Sequence, residues 1–106
     1  MILEAAILDL RASDPATCQA FEAAFRRASP LIAGAPGYHG HRLERRVEAP
    51  GRYLLLVEWE TLQDHTVGFR QSAAYQEWRM LLHPFYDPFP TVEHFQPVDL
   101  PGAARE

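Results

Sequence analysis

The chain has 106 residues, 47% hydrophobic and 23% charged, with a formal net charge of −4, which describes one compact domain with little room for a second. All ten basic residues are arginine, so Schiff-base chemistry on lysine and the phosphate-gripping lysine of a P-loop are excluded. No basic run and no arginine stripe interleaved with aromatics marks a nucleic-acid surface, and no apolar run approaches the roughly 20 residues of a membrane helix. The opening MILEAAILDL lacks a basic start and a cleavage site, so the chain reads as cytoplasmic; the single Cys18 fits a reducing compartment.

Residues 2 to 10 are mostly apolar, with Glu4 and Asp9 as one charge on each face, and suit a short buried strand. Asp14 and Pro15 then open a helix, the aspartate as N-cap and the proline where a missing N–H costs nothing. Cys18, Phe21, Phe25 and Ala28 recur on its apolar face, and Pro30 is expected to kink or end it. Beyond the loop marked by Gly34, Pro36 and Gly37, the runs Tyr38 to Glu48 and Arg52 to Glu60 read as two strands. The intervening Ala49-Pro50-Gly51 suits a type II turn. A helical stretch follows from about Thr61 to His83, interrupted near Ser72, with Leu62, Phe69, Ala74, Trp78 and Leu81 or Leu82 on its apolar side. Pro84 to Pro90 is a proline-stiffened aromatic loop, Thr91 to Val98 reads as a last strand, and residues 99 to 106 as a tail after a single domain spanning 1 to 98.

The order β-α-β-β-α-β predicts an α+β, ferredoxin-like subunit: one antiparallel sheet with both helices on one face. Tyr53, Leu55, Val57 and Trp59 alternate with Leu54 and Leu56, so both faces of that strand call for burial. Two helices cover one face only. A second copy packed sheet to sheet is the economical cover for the other, and the pattern predicts a homodimer.

Eight of the twelve aromatic residues fall between Trp59 and Phe95. Phe69, Tyr75, Trp78 and Phe95 are accounted for as core, whereas Tyr86, on a loop, has a hydroxyl that can face a ligand. Among five histidines, His39 and His41 lie two apart on one strand and are expected to share a face, but no further ligand stands at metal-motif spacing; His94 reads as structural. His65 and His83 flank the aromatic helix, where an imidazole can take a proton from a phenolic substrate near neutral pH. For His83 the helix C-terminus offers a plain structural reason. No serine sits in a G-x-S-x-G elbow, Cys18 reads as a small core residue, and no dinucleotide fingerprint is present. No cofactor and no metal site is therefore expected.

Pro36-Gly37-Tyr38, the hairpin Pro50-Gly51-Arg52-Tyr53, Val57-Glu58-Trp59-Glu60, and His65, Phe69, Ser72, Tyr75 and Trp78 together resemble the antibiotic biosynthesis monooxygenase domain. The likeness runs over about residues 2 to 98. It implies a dimeric α+β barrel, in which two ferredoxin-like sheets close on each other, and oxidation of quinol or anthrone-like aromatics by molecular oxygen without flavin, haem or metal. On that resemblance His65 is the candidate base, Arg70 the anion partner, Tyr86 a further catalytic group, and Trp59, Phe69, Trp78, His83 and Phe85 the substrate slot. The same residues are compatible with a non-catalytic module that binds a small aromatic, or with a non-redox enzyme acting on a polyketide. Members of a haem-degrading branch of this fold resemble one another in an Asn of the first strand with a Trp and a His of the second helical region; this chain has no Asn, and Trp78 and His83 keep that order but stand only five residues apart, which leaves haem degradation the less favoured alternative.

Overall fold

A computed structural model describes residues 1–102; the tail expected from Asp99 lies partly outside them. The elements are β1 (Ile2–Asp9), α1 (Pro15–Ala33), β2 (Tyr38–Arg45), β3 (Arg52–Trp59), a π-helical segment Asp64–Phe69, α2 (Ala73–Leu82), a 3-10 turn His83–Phe85, and β4 (Val92–Phe95). The sheet runs β2-β3-β1-β4 with every neighbouring pair antiparallel, and this is the ferredoxin-like α+β fold expected from the element order.

Local signals explain where the elements begin and end. Asp14 accepts from the Thr17 backbone N–H at 3.1 Å and from its hydroxyl at 2.6 Å, satisfying the first turn of α1. Ser72 does the same for α2 by accepting from the Tyr75 backbone N–H at 3.1 Å. Pro30 does not end α1, which continues to Ala33. The carbonyl that its ring deprives of a partner belongs to Arg26, and both residues lie on the exposed face, where water serves instead. Gly51 has φ +99°, as the second central position of a type II turn demands. Gly37, at φ +82°, has no room for a side chain: a Cβ there would fall 2.1 Å from an Asp64 carboxylate oxygen. That carboxylate in turn accepts from the Thr61 backbone N–H at 3.0 Å and starts the π-helical segment.

The core lies between sheet and helices. Tyr53, Leu55, Val57 and Trp59 of β3 and Ala6 and Leu8 of β1 meet Phe21, Ala24, Phe25, Ala28 and Ile32 of α1 and Trp78 and Leu82 of α2. Each large side chain so buried contributes about 1.5–3 kcal/mol. The opposite face of the sheet carries Leu3, Ala5, Ile7, Leu54 and Leu56, and it is uncovered in the single chain. Ile7 is 48% exposed and pairs with Leu54 across the central strands. Phe95, expected in the core, is instead 50% exposed, because its pairing with Leu3 puts it on this outer face. A groove of about 400 Å³ there is lined by Ala5, Ile7, Leu54, Phe89 and Phe95, among others.

Candidate active site

Glu4, in the first half of β1, stands opposite Val57 of β3 and His94 of β4. Its parity is that of Ala6 and Leu8, so its carboxyl points into the core, where it is only 4% exposed. A buried carboxyl requires partners. Trp59 Nε1–H donates to Oε1 at 2.9 Å, and His65 Nε2 lies 3.4 Å from the same oxygen. Burial pushes the Glu4 carboxyl above its ordinary range, against the opposing pull of the Trp59 hydrogen bond and the Arg70 charge. Both contacts fall on Oε1. Since no buried side-chain oxygen among the described residues lacks a partner, Oε2 is the oxygen open to the adjoining space.

His65 is placed by the π-helical segment, which turns both His65 and Phe69 inward; such wide turns recur at functional sites. The imidazole stacks on Trp59, with ring centroids 5.5 Å apart and planes 19° from parallel. Its Nδ1 is 2.8 Å from His94 Nε2. Burial foremost, then the Arg70 charge and His94, brings the His65 pKa down to about 3, so the ring is neutral at physiological pH. Because the ring is neutral, its approach to Glu4 is not an ion pair. His94 is lowered for the same reasons, burial first and Arg70 second.

Glu4 and His65 form one wall of a partly open cavity of about 40 Å³. Arg70 stands at its edge, exposed, with no carboxylate within ion-pair distance among the described residues. Phe69, Tyr75, Trp78 and Leu82 supply an apolar side, and His83, Tyr86, Phe89 and Pro90 close the remaining one. Burial pushes the Tyr86 hydroxyl above its ordinary value, so it remains a proton donor. His83 is lowered by burial, then by Arg79 and Arg70, and is packed edge-on against Phe89 at 4.9 Å. The free space is smaller than the roughly 150 Å³ cavity that holds benzene, so an aromatic ring enters only if a wall moves. Phe89, 64% exposed, is the least anchored part of that wall.

Six of the eight residues expected at a site therefore line one cavity: His65, Arg70, Phe69, Trp78, His83 and Tyr86. Trp59 does not reach it; it stands behind Glu4 and His65 and holds both. Phe85 packs edge-on against Phe21 at 5.6 Å and belongs to the core, because the 3-10 turn rotates it away from Tyr86. His39 and His41 do not act together. A bulge between Tyr38 and Gly40 separates their surroundings, leaving His39 exposed beside Glu60 at 2.9 Å and His41 bonded to Tyr38 and Ser29. Glu4 and His94 are the members that sequence reasoning passed over. The available signal was parity: Glu4 shares a face with Ala6 and Leu8, and His94 with Val92.

Comparison with known proteins agrees with this architecture. Residues 7–80 match the family model described as antibiotic biosynthesis monooxygenase. The uncharacterized protein YczJ of Bacillus subtilis (strain 168) is 57% identical over 98 residues, covering 92% of this chain and all of YczJ. A crystal structure of a candidate antibiotic biosynthesis monooxygenase from Bordetella bronchiseptica is 44% identical, with a TM-score of 0.84 over 92% of this chain and 96% of that one. SnoaB, a cofactor-independent oxygenase from Streptomyces nogalater, shares the fold at a TM-score of 0.76 and 15% identity, over 96% of this chain and 97% of its own. The chain belongs to the antibiotic biosynthesis monooxygenase family. Among the described residues, no helix is long and apolar enough to cross a membrane.

Proposed function

We propose that this protein is a cofactor-independent monooxygenase, acting in the cytoplasm on small electron-rich aromatics of the quinol or anthrone type. The observation that carries the reading is the convergence on one cavity of the adjoining Glu4 and neutral His65, of Arg70, a cation with no carboxylate partner among the described residues, and of an aromatic wall. Removal of a phenolic or benzylic proton leaves an electron-rich anion, which Arg70 stabilises. That anion can itself pass an electron to O2. Conversion of a ring CH2 to C=O releases four electrons, and O2 accepts four in giving the carbonyl oxygen and one water, so no external reductant is needed. The roles follow: Glu4 and His65 take the proton, Arg70 holds the anion, Tyr86 donates a hydrogen bond, and Phe69, Trp78 and His83 line the slot.

The working unit in this reading is a homodimer closed through the outer sheet face. Its support is the apolar band of Leu3, Ala5, Ile7, Leu54, Leu56 and Phe95, which has no cover in the single chain. A non-catalytic module that binds a small aromatic is the second reading, favoured by the tightness of the cavity. The two separate on oxygen consumption. Metal-stripped and flavin-stripped protein consumes O2 with a quinol or anthrone under the first reading; under the second, the ligand quenches tryptophan fluorescence and no O2 is used.

A further inference from the structure

We propose that Glu4, His65 and His94 form a proton relay that carries the substrate's proton from the cavity to solvent at the β4 edge of the sheet. The inference rests on the oxygenase reading for the source of the proton, but its geometry stands independently. The three side chains come from three separate elements, β1, the π-helical segment and β4. They make a continuous line: Glu4 Oε1 to His65 Nε2 at 3.4 Å, then His65 Nδ1 to His94 Nε2 at 2.8 Å. The inner end is the cavity wall, while His94 is only part-buried and does not line the cavity. Trp59 fixes the inner end by donating to Glu4 Oε1 and stacking on His65.

The protonation pattern that burial favours is also the one a relay needs. In the relay's starting state Glu4 carries its proton on Oε1, the oxygen 3.4 Å from His65 Nε2. Neutral His65 carries its hydrogen on Nδ1 and donates to His94 Nε2, and neutral His94 carries its hydrogen on Nδ1. When Oε2 takes a proton from the substrate, the Oε1 proton passes to His65 Nε2, the His65 Nδ1 proton to His94 Nε2, and the His94 Nδ1 proton to water. One proton enters and one leaves. Each member ends neutral in its other tautomer, and the only new charge inside the site is the substrate anion beside Arg70. A single buried base would instead become charged, at the desolvation cost that keeps His65 neutral. The titratable and charged groups facing this line are Arg70, after the π-helical segment, Tyr75 of α2, His83 of the 3-10 turn, and Tyr86 of the following loop.

The test combines two readouts. In protein labelled with 15N-histidine, two-bond 1H–15N spectra at pH 7 are expected to show His65 and His94 neutral with hydrogen on Nδ1; a charged ring, or hydrogen on both Nε2 atoms, overturns the relay. His94→Gln retains an acceptor for the His65 Nδ1–H, so the fold holds, but an amide cannot pass the proton on. With a hydroxyanthrone as substrate, His94→Gln is expected to lose about tenfold or more in kcat with little change in KM, within the 10²–10⁴-fold that acid–base groups supply, and to regain rate when imidazole is added to the buffer. Wild-type kcat in His94→Gln overturns the relay. Absence of oxygen uptake by the wild type overturns the oxygenase reading instead, and the tautomer spectra then decide the relay.

Discussion

The indole of Trp59 donates to the carboxyl of Glu4 at 2.9 Å across 55 positions of sequence, tying the end of β3 to the first half of β1 where the core holds an acid. The bond makes the buried carboxyl tolerable, and the same indole stacks on His65. Trp59→Phe preserves most of the packing but removes the donor. It is expected to lower stability by about 1–3 kcal/mol in urea unfolding, the range for stranding a buried hydrogen-bonding group.

Glu4 and His65 make opposite contributions to the pH dependence of stability. For Glu4 the folded pKa is raised above its unfolded value, so its contribution is present below the unfolded pKa and is lost as pH rises through the folded pKa. Glu4→Gln retains an acceptor for Trp59 and escapes this loss. It is therefore expected to gain stability relative to wild type from pH 4 to pH 8 while losing activity.

For His65 the folded pKa is about 3 against 6.5 for the free side chain. Between those values the unfolded chain holds more protons, so stability falls as pH falls. The wild type is expected to lose about 2 kcal/mol more than His65→Gln between pH 7 and pH 5 by linkage. Urea unfolding of both proteins at the two pH values checks it.

Arg70 lines the cavity without a carboxylate partner among the described residues, so its loss costs the fold little. Arg70→Gln is expected to leave the urea midpoint unchanged and to reduce kcat/KM by about tenfold or more, the equivalent of one lost charge-assisted hydrogen bond. Steady-state oxygen uptake provides the measurement.

Phe89 lines the cavity from a largely exposed position. Phe89→Ala is expected to lower KM for fused-ring substrates more than for single-ring quinols, because a fused ring requires the wall to move further. Equal changes for both would remove Phe89 from the slot.

Most of the fold was legible because its signals are local. The Asp14 and Ser72 caps, the Pro50-Gly51 turn and the alternation along β3 each report their own surroundings. The exceptions depend on tertiary context. Pro30 stays helical because the Arg26 carbonyl that it leaves unpaired faces water, and Phe95 is turned outward by its register with Leu3. The site was half legible for a similar reason. The aromatic wall and His65 lie within the stretch from Phe69 to Tyr86 or just before it, whereas Glu4 and His94 join only when β1 and β4 pair antiparallel around the opposing positions. No spacing within the sequence announces that meeting. Phe85, adjacent to Tyr86, illustrates the converse: neighbours in sequence end on opposite sides of a 3-10 turn.

The most direct test of the central claim is oxygen uptake by the protein, stripped of metal and flavin, with hydroxyanthrone and quinol substrates, comparing wild type with His65→Gln. The expected result is saturable uptake coupled to quinone formation by the wild type, reduced by about 10²–10⁴-fold in the variant at intact fold. Uptake by the wild type no faster than with boiled protein, or equal rates in the two proteins, would contradict the account.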